Sequence, residues 1–169
     1  MTRSDIRWPD SARPERATIH AFNESYTPAT PEAVWSWLVR ARDWPTWYDN
    51  CRALSFDAGE GPDLAPGRRF RWTTFGVRVA TRIEEFEPPY RLAWRGTAFG
   101  SSGYHAWLLE RHAGRTRIVT EETQRGVIPF LGQLYLRGAI VRQHQRWVDA
   151  LGRLAAAGQP SFTASPAAG

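Results

Sequence analysis

The hydrophobic pattern is clearest between Ile128 and Ala157, where apolar residues recur at helical spacing. Pro129 suits the first turn of a helix, and no further proline interrupts the stretch before Pro160. On a helical wheel Leu136, Ile140, Trp147, Leu151 and Leu154 share one broad arc with Phe130, Leu134, Val141, Val148 and Ala155. Arg142, Gln145, Arg146, Asp149 and Arg153 fall on the other side. Gln133, Arg137 and His144 break this division, because they lie inside the apolar arc. Burying an unpaired polar group costs about 1–3 kcal/mol. These three residues therefore either meet partners in the core or face something hollow.

Upstream, Ala17 to Tyr26 reads as a strand; both of its parities carry a polar residue, which leaves its inward face open. Thr30-Pro31-Glu32 announces a helix, with Thr30 as N-cap and Pro31 in the first turn. Val34, Trp37, Leu38, Ala41 and Trp44 form its apolar face, and Pro45 ends it and opens a short second helix running to Asn50. Asp57 to Gly67 is a loop of Gly, Pro and Asp. The period then becomes two: Phe70, Trp72 and Thr74 alternate with Arg69, Arg71 and Thr73; Val77, Val79, Thr81 and Ile83 with Arg78, Ala80 and Arg82; and, after Pro88-Pro89, Tyr90, Leu92 and Trp94 with Arg91, Ala93 and Arg95. Tyr104 to Arg111 and Thr116 to Gln124 flank a two-residue turn at Ala113-Gly114. That turn sets Leu109 opposite Ile118, Trp107 opposite Thr120 and His105 opposite Glu122, all on the apolar face. Gly126 ends the sheet.

The element order predicts an α+β fold. An antiparallel sheet of six to seven strands, wet on its arginine-bearing face, wraps around the long C-terminal helix, with two short helices after the first strand. Residues 1–16 read as a flexible leader, 17–157 as one domain, and 158–169 as a disordered tail. The length of 169 residues fits one domain with a substantial core. No apolar run approaches the roughly 20 residues of a membrane span and no signal peptide is evident, so the expected location is cytoplasmic. The single Cys51 excludes an internal disulfide. All basic side chains are arginine, and the net charge is +5. Arg78, Arg82, Arg91 and Arg95 face away from the aromatic residues, so the interleaving of a nucleic-acid binder is missing and no nucleic-acid partner is expected.

Five stretches resemble the START-like (SRPBCC) superfamily in its bacterial polyketide cyclase/dehydrase branch. They are Thr30-Pro31-Glu32-Ala33-Val34-Trp35, Trp44-Pro45-Thr46-Trp47-Tyr48, Glu87 to Gly96, His105-Ala106-Trp107-Leu108-Leu109, and Gly114 to Ile118 with Glu122 and Gly126. The resemblance implies a helix-grip fold with an interior cavity for a small hydrophobic or aromatic molecule. It also brings in lipid carriers, hormone receptors, aromatase/cyclases, ring-hydroxylase subunits and activators of chaperone ATPases.

Within that frame His105, Glu122 and His144 are the candidate catalytic groups, since a histidine held by a carboxylate is suited to move protons or orient a ligand carbonyl. Tyr48, Trp72, Thr74, Trp94, Trp107 and Thr120 are candidate ligand contacts, as are Gln133 and Arg137 from the helix. The four histidines show no metal-ligand spacing, no phosphate-binding glycine loop is present, and no cofactor or metal is expected. Three functions compete: capture of a hydrophobic or aromatic metabolite, polyketide cyclisation or dehydration, and protein interaction through a filled core. A cavity short of about 300 Å³ with His105 and Glu122 paired in a dry core would end the first two readings. Monomer and homodimer both remain open.

Overall fold

The structure, a computed structural model, describes residues 4–57, 59 and 61–160. Most of the expected C-terminal tail, and two positions of the Asp57 to Gly67 loop, lie outside the described residues. The first strand, β1 (Ile19–Thr27), is followed by helices α1 (Pro31–Leu38) and α2 (Trp44–Trp47). Six further strands follow: β2 (Arg52–Phe56), β3 (Arg69–Thr74), β4 (Val77–Glu87), β5 (Arg91–Ala98), β6 (Ser101–His112) and β7 (Arg115–Arg125). The long helix α3 (Val127–Ala157) closes the fold. The sheet order is β1-β7-β6-β5-β4-β3-β2, every pairing antiparallel, so the first strand joins the last. This is the α+β arrangement expected.

Local chemistry accounts for most element ends. The Thr30 hydroxyl accepts from the Ala33 N–H at 3.3 Å, capping α1. That helix is shorter than its apolar pattern: it stops at Leu38, a 3-10 turn covers Ala41–Asp43, and α2 starts at Trp44 with Pro45 inside its first turn. The indole of Trp44 turns back to donate to the Leu38 carbonyl at 3.0 Å, satisfying an acceptor that a longer helix would have used. Strand β2 is the element the alternation did not single out. Ala53 has φ 47° and the pairing register shifts between Arg52 and Ser55, so its period of two is lost.

β1 turns Ile19, Ala21, Asn23 and Thr27 inward. The two polar residues are paired: Asn23 donates to the Val141 carbonyl at 3.0 Å and to Gln145 Oε1 at 2.9 Å, and Thr27 donates to the Gly152 carbonyl at 2.8 Å. Side chains of β1 thereby pin α3 along the sheet.

The interior is filled by indoles. Trp44, Trp72, Trp94, Trp107 and Trp147 are all buried, with Trp147 of α3 at their centre and 5.0–5.1 Å from the rings of Trp107 and Trp44.

Two expectations need correction. The supposed leader packs on the outer face of the sheet: Ile6, Trp8 and Ala12 cover Ala93, Ala106 and Tyr104, and Thr123 donates to the Ala12 carbonyl at 2.9 Å. Two alanines leave a shallow apolar hollow there that Trp8 fills, so this part of the sheet is not wet. The second correction concerns α3. Its first turns overhang the strands, with the Ile128 N–H bonded to the Gly100 carbonyl at 3.2 Å at the β5–β6 tip. Phe130, Leu131 and Leu134 are therefore exposed, although Phe130 and Leu134 share the apolar arc of the wheel. Among the described residues, no helix is long and apolar enough to cross a membrane.

Candidate functional site

His105 stands on β6, Glu122 opposite it on β7, and His144 on the face of α3 that covers both. Register and helix phase together bring the three side chains into one cluster. Glu122 Oε2 lies 3.1 Å from His144 Nε2 and 3.5 Å from His105 Nδ1. The two imidazoles stack at 4.5 Å with planes 22° apart. Gly103, next inward-facing residue on β6, makes room for the carboxylate: a Cβ there would come 3.2 Å from Glu122 Oε1.

His105 is held on both sides: its Nε2 lies 2.6 Å from the Thr120 hydroxyl, which is also 3.1 Å from the Ala106 carbonyl, and its Nδ1 faces Glu122. Burial, aided by the neighbouring His144, pushes the His105 pKa down to about 3, which keeps the ring neutral. For Glu122, burial alone acts upward, but the hydrogen bond from His144, the adjacent imidazoles and Gln124 outweigh it and hold the carboxyl well below its usual range. Gln124 donates to Glu122 Oε1 at 2.6 Å. His144 Nδ1 and Trp147 Nε1 are buried without a hydrogen-bond partner among the described residues.

The cluster forms one end of a cavity of about 70 Å³ between the sheet and α3. Tyr48, Trp72, Thr74 and Trp94, four of the candidate ligand contacts, line it. Trp107 and Thr120 do not: they lie behind it in the core, and Thr120 acts through His105. Gln133 and Arg137 are displaced further still. Both are on the overhanging, exposed part of α3, beside His20 on the outside of the domain. The wheel gave their angle correctly but carried no information about where the sheet ends.

Sequence reasoning passed over Gln124, Phe75 and Asn50. Gln124 was within reach, because it shares the parity of Glu122 two residues along β7. Phe75, at φ 51° in the β3–β4 turn, lines the cavity mouth and packs near Leu136 and Ile140 of α3. Asn50 holds that turn in place: its Oδ1 accepts from the Phe75 N–H at 2.8 Å, and its Nδ2 reaches Thr74 Oγ1 at 3.0 Å and the Tyr48 hydroxyl at 3.1 Å.

A sheet gripping one long helix, with a polar cluster at the end of an interior cavity, defines a helix-grip protein of the ligand-binding kind. Residues 20–157 match the model of the family described as polyketide cyclase / dehydrase and lipid transport, and the chain belongs to that family. The crystal structure of the hypothetical protein jhp0584 from Helicobacter pylori is 32% identical, with a TM-score of 0.83 over 92% of this chain and 98% of that one. The Zhui aromatase/cyclase from Streptomyces sp. R1128 shares the fold at 17% identity, with a TM-score of 0.68 over 83% of this chain and 98% of the other. TTHA0849 from Thermus thermophilus does so at 21% identity and a TM-score of 0.66, over 82% and 97%. None of the curated proteins compared with the chain matches it.

Proposed function

We propose that this protein binds a small molecule head-first, with a compact polar group at His105, Glu122 and His144 and a flat apolar remainder at the aromatic mouth. The observation that carries this reading is the pair of buried polar atoms left without partners beside the cavity, His144 Nδ1 and Trp147 Nε1. An unmet buried group costs about 1–3 kcal/mol, which a ligand's own donors and acceptors recover on binding. The volume sets the size of the head. A cavity of about 70 Å³ has room for a small polar group or a few waters, yet falls short of the roughly 150 Å³ that accommodates benzene. The small hydrophobic or aromatic metabolite expected thus enters with its head group, while a folded polyketide chain exceeds this space. The cluster is therefore read as a recognition group.

Native mass spectrometry of the purified protein tests this directly. A co-purified small molecule is expected, and it should be lost in Glu122→Gln while that variant keeps its circular dichroism spectrum. A bare mass from every host, together with no compound of an aromatic-acid and phenol library shifting the His105 or His144 ring signals, would sink the reading.

A second reading, a protein-interaction module, is favoured by the filled interior and by the exposed Phe130, Leu131 and Leu134 on α3. It expects Leu131→Asp and Leu134→Asp to abolish partner capture while ligand uptake, if any, is untouched.

A further inference from the structure

We infer that His105 Nδ1, Glu122 and His144 form a binding site for one first-row divalent metal ion of the zinc type, with its open coordination positions turned to the cavity. The inference rests on the cavity read above as functional, and gives its polar end a Lewis acid to which a ligand's head group would bind.

Four observations carry it. The first is spacing. With one donor atom taken from each residue, the three lie within 4.8 Å of one another, and the carboxylate edges measure 3.1 and 3.5 Å. An ion held at about 2.1 Å separates its ligands by roughly 3.0 Å when they are at right angles and about 3.4 Å when tetrahedral. The carboxylate edges already fit, and the two histidine donors, within 4.8 Å of each other, close by up to about 1.4 Å to share a tetrahedral ion.

The second is the room for a suitable tautomer. The Thr120 hydroxyl can accept from His105 Nε2–H, which frees the Nδ1 lone pair on the side where Glu122 Oε2 stands, for a cation shared between the two. The third is the supporting layer. A metal-bound histidine usually donates its other N–H to an oxygen, and a ligating carboxylate is itself hydrogen-bonded. His105 does the first through Thr120, and Glu122 does the second through Gln124 at 2.6 Å. The fourth is burial: both imidazoles are shut off from bulk solvent and face the cavity.

Two imidazoles and a carboxylate suit zinc, cobalt or iron(II) better than magnesium or calcium, which prefer all-oxygen sites. Three protein ligands leave at least one position free, and the cavity with Tyr48 and Thr74 occupies that side. Sequence spacing could not show this site, since its ligands come from two strands and a helix.

The test uses chelator-treated full-length protein titrated with ZnCl2 by calorimetry at neutral pH, with CoCl2 as a spectroscopic probe and MgCl2 as a control. Uptake of one Zn2+ per chain is expected, with visible Co2+ bands and no response to Mg2+. Glu122→Gln and His144→Ala should weaken Zn2+ binding by about 100-fold or more, and Thr120→Val by about 10-fold. His112→Ala, a surface substitution, should leave it unchanged. Should a ligand variant fail to fold, the wild-type imidazole NMR signals decide: Zn2+ must shift His105 and His144 and leave His112 in place. Absence of saturable binding, equal affinity in the variants, or loss through His112→Ala overturns the inference. An organic molecule retained by metal-free protein that ignores Zn2+ overturns it too, while leaving the small-molecule reading standing; Zn2+ binding without any organic ligand does the reverse.

Discussion

Tyr48 lies flat against Trp147, the ring centroids 4.3 Å apart and the planes 17° from parallel. This stack ties the segment after α2 to the middle of α3 and forms one wall of the cavity. Burial also drives the Tyr48 phenol upward, so it remains a neutral hydroxyl across the physiological range.

Removing the larger partner should therefore be costly. Trp147 is fully buried and touches Trp44, Trp72, Trp94 and Trp107 as well as Tyr48. Trp147→Ala is expected to lower stability by about 3–5 kcal/mol, measured by urea denaturation. Trp147→Phe should retain most of it.

Asn50→Ala should loosen the mouth and spare the core. The substitution deletes the bonds to Phe75, Thr74 and Tyr48 at once. Faster amide exchange is expected across residues 73–77, with a stability loss of about 1–2 kcal/mol. Unchanged exchange at Phe75 would show that the turn holds itself.

Acid should weaken the metal-free protein earlier than its surface charges alone require. His105 is held below its unfolded value of about 6.5, and Glu122 below its own of about 4.5. In each case the unfolded chain takes up the proton first, so the stability contribution is full above the unfolded pKa and fades as pH falls towards the folded one. His144 and Gln124 also face this carboxylate. The expected slope between pH 6.5 and about 3 approaches 1.4 kcal/mol per pH unit for each proton taken up. It should flatten in His105→Gln, as judged from urea midpoints at several pH values.

Trp8→Ala should release the N-terminal segment alone. Trp8 packs against Tyr104 at 5.8 Å and against His20 at 6.0 Å. Amide exchange at Ala12, whose N–H bonds the Pro9 carbonyl at 2.8 Å, should rise while β6 and β7 keep their protection. A simultaneous loss of protection in those strands would make the segment part of the core.

What the sequence disclosed follows from where its constraints are local. The β6–β7 register was readable because Ala113 and Gly114, at φ 47° and 77°, make a two-residue turn that sets every pair beyond it. Thr30 and Pro31 announced α1 for the same reason. The misplaced residues depend on relations no window contains. Gln133 and Arg137 have the right angular position, yet the sheet ends before reaching them. Ile6, Trp8 and Ala12 carry no period and bind a hollow formed by Ala93 and Ala106, far along the chain. The size of the cavity was equally hidden, since the aromatic side chains expected to line a site for a ligand fill most of it themselves.

Glu121 and Glu122 point to opposite faces of β7, and each meets a histidine: His20 at 2.6 Å outside, His144 at 3.1 Å inside. Ile118 and Val119 are both fully buried, so the apolar pattern of this strand looks much the same after a slip by one residue. Such a slip would set one carboxylate in the other's place and a threonine in its neighbour's, leaving one of the two histidines without its partner. β1 and α3 thus choose the alignment of β7 by polar pairing, an error check on sheet assembly where burial alone would accept two answers.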